Sequence, residues 1–529
     1  MFRNNTPLRL QDGDKVVIVG GGPAGTTAAM YLRTMKPDLK VMVIDNRDDA
    51  TMRRGGPGSC KGCVGGLTGF LLDQLATDLN IELRKQIINN TIHKVRFHNL
   101  HTPPTDNITS TFEIDIAQDL GTIWQLPCKE SVLVSIGNGK VNFHSPKEEP
   151  ISFDYFMRKQ AKLKGVEFIH GFVTSIKVPK NPNDPVLLSY TQHHSRSHVA
   201  HHKRDTIEHR LPPPTLPHDS VINISDAALV MNASGMNSHH QMQVSDYVLD
   251  KHNKLVTTHR SGRATGKMMA VFGIDCDPDT LKSKFGDTLH IYGGIKGANA
   301  IVAAPKYLQK GGSWLTVAIL PSHNIPAAYE NDAAIDGEVL PKMPGISDQM
   351  LAIRDEFLIK SGIASCVEAI NIHKPICRCT PLIPDRVSNQ PYGNRYVEIG
   401  DISGAMKYGR NGIAYATLSG KQAVTVAIQN GITAYDFQLG YDHHFVNKIR
   451  RDNILGRFLM DMHGWINNNP YLSRWYYRAA FHSPQLKRYI TQILLGIKPA
   501  DNYMFSTLQL LKETYGGLSL LHAAWRKDR

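Results

Sequence analysis

Residues 15–48 read KVVIVGGGPAGTTAAMYLRTMKPDLKVMVIDNRD. The opening run is short, apolar and rich in β-branched residues, the pattern of a strand buried on both faces. Gly20, Gly22 and Gly25 follow at the spacing G-x-G-x-x-G, with Pro23 and Ala24 between the last two. The first glycine permits a sharp turn, the second lets backbone approach a pyrophosphate, and the third lets a helix pack close to the strand. The start of that helix offers free N–H groups and partial positive charge to phosphates. VMVID then reads as a second strand ending in Asp45, placed to accept from a ribose hydroxyl. A dinucleotide site is expected here, and the motif alone fits NAD or FAD.

Two distant segments separate those cofactors. In 228-ALVMNASGMNS-238 an apolar strand runs into Gly235. In 396-YVEIGDISGAMKYGRNGIAYATLSGKQAV-424 a strand ends in Gly400-Asp401, and a glycine-bearing loop feeds an Ala-rich helix. Between them in character is 153-FDYFMRKQAKLKGVEFIHGFVTSIKV-178, a helix followed by a strand pair. In this order the segments resemble the geranylgeranyl reductases, FAD-dependent oxidoreductases within the p-hydroxybenzoate hydroxylase type of flavoprotein. The resemblance spans most of residues 13–430. It implies FAD as cofactor, with Gly400 and Asp401 at its ribityl–pyrophosphate region. It also implies that Gly409, Asn411, Gly412 and Ile413 lead a helix N-terminus toward the isoalloxazine, where a helix end favours the negative charge of reduced flavin.

The implied fold is α/β with an α+β substrate layer. A Rossmann-like FAD-binding domain would take residues 1–95, 150–245 and 396–430. An inserted antiparallel sheet, residues 96–149 and 246–395, would cover the flavin and select substrate. Residues 431–529 would form a helical C-terminal region.

The loop 55-GGPGSCKGCVGG-66 places Cys60 and Cys63 among glycines that allow backbone to approach a flat ring. Geranylgeranyl reductases carry a similar Cys-Gly-Gly segment before a helix, which implies that this loop is a flavin wall. A second pair, Cys377 and Cys379, lies in 373-HKPICRCTPLIPDRVSN-389, where alternation on an extended segment directs both thiols to one face. Three readings stay open for the four cysteines. They are thiols acting beside the flavin, ordinary packing, and a four-thiolate metal or iron–sulfur site. Cys128, Cys276 and Cys366 have no partner in sequence and read as small buried apolar residues.

The segment 289-LHIYGGIKGANAIVAAPKYLQKGGSWLTVAIL-320 alternates like strands. Of the reductases' Tyr-x-Trp-x-Phe-Pro substrate strand it keeps only Tyr292. Tyr292 and His373 are the candidate proton donors. The stretch 192–219 holds seven histidines with Arg and Pro and no apolar period, so it reads as a solvated insertion. The His443-His444 doublet also reads as surface.

The 529-residue chain is 41% hydrophobic and 20% charged, which excludes a disordered protein. No stretch approaches the roughly 18–20 apolar residues of a membrane span. Seven cysteines and a polar start predict a cytoplasmic protein rather than a secreted disulfide scaffold. Net charge is +13, and residues 441–529 carry 13 Lys and Arg against 6 Asp and Glu, with 14 of the 41 aromatic residues. Helical spacing in this tail fits packing on the main body, peripheral contact with the inner face of a membrane, or a protein partner. No nucleic-acid-binding motif accompanies the charge.

The expected activity is an FAD-dependent oxidoreductase acting on a hydrophobic small molecule, isoprenoid or quinone-like. Its electrons would come from a small donor: NAD(P)H, ferredoxin or reduced flavin. Two alternatives are an electron-transfer subunit, with or without a cysteine-bound cluster, and a flavin monooxygenase.

Overall fold

The KVVIV strand is apolar because it runs through the middle of a sheet covered on both faces; Val16, Val17 and Ile18 are fully buried. The computed structural model describes residues 8–49, 65–83, 87–106, 110–116, 131–134, 152–192, 221–236, 242–252, 254–260, 262–307, 313–322, 328–329, 344–345, 348–366, 377–379, 381–406 and 412–482. In chain order the elements around the site begin with β1 (Lys15–Val19), α1 (Pro23–Met35), β2 (Lys40–Asp45), β3 (Gly65–Thr68) and α2 (Gly69–Leu79). Next come β4 (Lys94–Asn99), β5 (Ser131–Val134), α3 (Phe153–Leu163), β6 (Glu167–Pro179) and β7 (Ala227–Asn232). Then follow β8 (Ala270–Asp275), β9 (Thr288–Gly293), β10 (Ala298–Tyr307), β11 (Ser313–Pro321), α4 (Asp348–Lys360) and β12 (Cys377–Cys379). The chain closes with β13 (Tyr396–Glu398), α5 (Gly412–Gln429), α6 (Asn447–Asn468) and α7 (Pro470–His482).

Five strands, in the order β6-β2-β1-β7-β13, pair in parallel at the heart of a ten-stranded sheet. Helix α1 buries nine consecutive residues, Ala24 to Leu32, between this sheet and α5. The helices approach closely at Gly420, where a Cβ would lie 3.1 Å from the Ala24 carbonyl oxygen. Tyr31 and Lys421 both bond Asp78 of α2, at 2.7 and 2.6 Å, tying three helices together.

The second sheet has seven strands and contains β12-β8-β11-β10-β9-β4. It departs from the expected antiparallel sheet at one joint: β9 and β4 pair in parallel. One face packs beneath α4 through Phe272, Ile301, Leu315, Val317 and Phe357. Tyr292 belongs to this cluster, its ring stacked on His98 at 4.4 Å and edge-on to Phe357 at 4.9 Å. It is a core residue of the cover layer. Sheet membership also runs past the expected division at residue 245: Gln243–Leu249 pairs in parallel with β6 of the first sheet, and Leu255–His259 pairs with it in turn.

The described C-terminal part is helical, as the spacing predicts. A π-helix, Gln438–Val446, leads into α6 and exposes His443 and His444. Among the described residues no helix is long and apolar enough to cross a membrane.

Candidate active site

Three parallel strands deliver their C-terminal ends to one place. The Ala233 N–H donates to the Val19 carbonyl at 2.7 Å, and the Ile399 N–H to the Asn232 carbonyl at 2.8 Å. Gly20 turns the chain out of β1 with φ +98°, and a Cβ there would lie 2.5 Å from the Ala233 carbonyl oxygen. Both facts require glycine. A Cβ at Gly25 would overlap the Gly20 carbonyl oxygen, so the helix can approach the turn only without one. Gly22 differs: among the described residues the nearest atom to a Cβ there is Arg47 Nη2, at 4.0 Å, so none of them fills that side of the turn. Pro23 takes the first helical position, and no side chain caps α1.

Gly400 sits over the same helix start. Its φ is +70°, and a Cβ there would lie 2.8 Å from Ala24 Cβ. The loop is held from behind: the Gly400 N–H donates to Ser419 Oγ at 2.7 Å, and Tyr441 Oη donates to the Glu398 carbonyl at 3.0 Å. Asp401 next to it is half-buried, and among the described residues nothing bonds its carboxylate. Loss of water pushes its pKa up to about 6. Gly235, also at positive φ (+78°), stands two residues beyond Ala233, and no heavy atom of the described residues lies within 4 Å of a Cβ there. Gly412 and Ile413 begin α5, with Ile413 buried.

Asp45 lies where the sequence puts it, at the end of β2, but its oxygens are already in use. Oδ2 accepts from the Gly21 N–H and from Arg47 Nη2 at 3.2 Å. Oδ1 accepts from the Arg47 N–H at 2.7 Å and from Arg47 Nε at 3.2 Å. A carboxylate offers about four acceptor positions. The expected ribose contact therefore competes with Arg47. Burial works to raise the Asp45 pKa, and the Arg47 guanidinium, aided by Arg158, outweighs it and holds the group at about 2. Arg47 also reaches Asp154 of α3 at 3.0 Å, while Arg158 donates to the Arg47 carbonyl at 2.7 Å.

Sequence reasoning missed this clamp, since Asp154 and Arg158 come from a distant helix. The only local signal is that they stand four apart on α3. It also missed the buried trio under the Gly400 loop. There Asn232 Nδ2 donates to Tyr396 Oη at 3.1 Å, and Tyr396 Oη to Glu398 Oε1 at 3.0 Å. Burial raises the Glu398 carboxyl, with Arg260 opposing.

Cys60, Cys63, Gly409, Asn411 and His373 lie outside the described residues. The exit of the cysteine loop is described: Gly65 pairs with Val134, whose carbonyl oxygen a Cβ at Gly65 would overlap. Cys377 and Cys379 form β12 as expected of an extended segment, pairing with Gly273 and Val271 of β8; their side chains lie outside the described part. Cys276 is buried, as expected of a small apolar residue. Among the described residues no three His, Cys, Asp or Glu side chains are grouped to hold a metal ion.

No protein-family model matches the chain. Among curated proteins it is similar to geranylgeranyl diphosphate reductase of Synechocystis sp., 24% identical over 179 residues, 34% of this chain and 33% of that one. The chloroplastic geranylgeranyl diphosphate reductase of Nicotiana tabacum is 25% identical over 190 residues, 36% of this chain and 31% of that one. The chain thus spans about a third of the length of the curated relatives it matches. Among solved structures, p-nitrophenol 4-monooxygenase PnpA from Pseudomonas putida superposes with TM-score 0.52 at 11% identity, covering 91% of this chain and 97% of that one. Klebsiella pneumoniae HpxO, complexed with FAD and uric acid, gives 0.52 at 12% identity over 93% and 97%. At such identities the likeness is one of fold, and it runs along most of the chain.

Proposed function

We propose that the chain is an FAD-dependent oxidoreductase resembling geranylgeranyl reductase, acting on a hydrophobic isoprenoid or quinone-like substrate with electrons from NAD(P)H, ferredoxin or reduced flavin. The observation that carries this reading is Asp401. A half-buried carboxylate without a partner among the described residues follows Gly400, which lies against the start of α1, and at Gly22 the turn there is open among the described residues. That pair of features fits a ligand bearing both phosphates and hydroxyls, as FAD does. The reductase relatives and the fold shared with FAD-complexed HpxO support the same cofactor.

In this reading Gly20, Gly22, Pro23, Ala24 and Gly25 bring backbone N–H groups to the pyrophosphate. Asp401 accepts from cofactor hydroxyls, with Gly400 allowing the close approach. Asp45 and Gly235 flank the adenosine side and the central turn. Gly409, Asn411, Gly412 and Ile413 aim α5 at the ring, and Cys60, Cys63, Cys377 and Cys379 supply thiols beside it. The bound flavin supplies hydride and electron transfer, while the protein orients substrate and excludes water. Residues 1–95, 150–259 and 396–430 hold the cofactor, 96–149 and 260–395 cover it, and the helices of 431–482 pack outside. The protein works in the cytoplasm, peripherally at a membrane.

The likeness to p-nitrophenol 4-monooxygenase favours a second reading, a flavin monooxygenase. One preparation separates the two. The purified chain is expected to show flavin absorbance released by denaturation, and its flavin, once reduced under anaerobic conditions, is expected to be reoxidised by an isoprenoid or quinone-like substrate with no oxygen present. Substrate-dependent oxygen consumption favours the monooxygenase, and a colourless protein that gains no flavin on reconstitution removes both.

A further inference from the structure

We propose that the substrate is of the quinone class, a flat ring bearing a carbonyl oxygen, and that the Thr316 hydroxyl on the inner face of the covering sheet binds that oxygen. The sheet has two unlike faces. Phe272 of β8, Leu315 and Val317 of β11 and Ala303 of β10 pack with Ile353 and Phe357 of α4. Successive strand residues point to opposite faces, so Gly273, Thr316 and Ala304 look away from α4. Register sets these three in one row: Thr316 pairs with Gly273 on one side and with Ala304 on the other. The next row is Val271, Ala318 and Val302. Three strands span about 10 Å. Over that width the Thr316 row carries only a hydrogen, a hydroxyl-bearing side chain and a methyl, a shallow floor on which a flat ring can lie.

Thr316 is fully buried, and among the described residues its hydroxyl has no hydrogen-bond partner. A buried hydroxyl left unpaired is costly, and a valine of the same shape would avoid the cost. Its lateral neighbours bring no polar side-chain atom to it. The row on the other side bears charge. There Lys306 pairs with Trp314, both fully buried, and the ammonium lies 5.9 Å from the ring centroid. Lys306 Nζ donates to the Val134 carbonyl of β5 at 2.8 Å, and β5 pairs with β3, the strand that follows the cysteine loop. This bond turns the face toward that loop. An ammonium held out of water favours a ligand with an electron-rich oxygen over bare hydrocarbon. An isoprenoid alkene offers the Thr316 hydroxyl nothing, whereas a quinone carbonyl accepts its hydrogen. The substrate class rests on the oxidoreductase reading above, while the unpaired hydroxyl stands apart from it. A quinone reduced here takes two electrons and one proton from the reduced flavin and one proton from water, and leaves as the quinol.

The test is equilibrium dialysis of duroquinone against the full chain, purified with FAD present. Thr316→Val is expected to weaken binding about five- to tenfold, with a melting temperature equal to wild type or higher. Thr316→Ser keeps the hydroxyl and is expected to hold affinity within about twofold. A Val variant that melts lower shows that the hydroxyl serves the protein's own packing, and overturns the proposal. So does equal affinity of wild type and Thr316→Val, or no binding to either. Geranylgeranyl diphosphate at equal concentration is not expected to displace duroquinone, and displacement overturns the quinone class. The visible spectrum of the same samples reads flavin separately. A chain without flavin whose duroquinone binding still depends on Thr316 loses the oxidoreductase reading and keeps the binding site.

Discussion

Helices α1 and α6 are buried in different ways. In α1 everything from Ala24 to Leu32 is buried, Thr26 and Thr27 included, because a sheet lies on one side and α5 on the other. The threonines return their hydroxyls to the helix's own carbonyls, Thr26 to Gly22 at 2.8 Å and Thr27 to Pro23. In α6 Ile449 joins the core, but the rest of its described inner side is largely polar and meets backbone and side-chain polar groups. Asn453 donates to the Met406 carbonyl at 2.8 Å, Asn468 to Ala298 at 3.1 Å, and His463 meets Asn467 at 2.8 Å. Which face of a helix is buried follows from what it packs on, and the unpaired backbone of loops calls for amides rather than Leu.

The largest effect is expected at the start of α1. Gly25→Val puts a branched side chain into the Gly20 carbonyl, which is backbone and cannot swing away. A cost of about 3 kcal/mol or more is expected, read as a fall in the denaturation midpoint or as loss of soluble protein. A variant as stable as wild type shows that α1 does not pack on the turn as described.

Next in size is Arg47→Leu. Asp45 has its folded pKa lowered to about 2, so its favourable contribution is present above its ordinary value near 4 and is lost as pH falls through 2. Without Arg47 the carboxylate keeps its burial and loses its main cation, and the sign reverses. The variant is expected to lose about 3 kcal/mol at pH 7 and to recover part of it near pH 5, whereas wild type does not. Urea titrations at the two values measure this, and a constant difference between the two proteins removes the clamp.

These two sites also mark what sequence could and could not tell. The strand, turn and helix at residues 15–35 are set by neighbours in the chain: a short buried run, then glycines at positions where a Cβ meets backbone. The Gly400-Asp401 turn is legible for the same reason. Arg47 is not, because nothing near it signals that Asp154, more than a hundred residues on, completes its bonds. The outward apolar stripe of α6 was visible as helical spacing, yet spacing alone names a stripe and not its direction. The long-range parallel pairing of β9 with β4 is likewise a tertiary matter, since strand pattern carries no partner.

Asp401 offers a smaller effect of opposite sign. Its folded pKa of about 6 exceeds the ordinary 3.8, so through this group the protein loses stability as pH rises from about 4 to about 6. Asp401→Asn is expected to stabilise the flavin-free chain at pH 7 by as much as about 3 kcal/mol, with no difference below pH 4. The same change is expected to weaken flavin retention, measured by equilibrium dialysis. Stability gained where binding is lost marks a residue kept for its ligand. A variant that is less stable at pH 7, or retains flavin fully, returns Asp401 to ordinary structure.

The smallest effect is the sharpest contrast with α1. Trp465 is 64% exposed, so replacing it with Ser removes little buried area, and the change is expected to stay within about 0.5 kcal/mol. Met30→Ser, at a fully buried position of α1, should cost several times that, about 2 kcal/mol or more, through lost burial and an added hydroxyl. Both are read in one denaturant series. If Trp465→Ser destabilises as much as Met30→Ser, the outer face of α6 is covered by protein in solution, and its aromatic stripe is core rather than exposed surface.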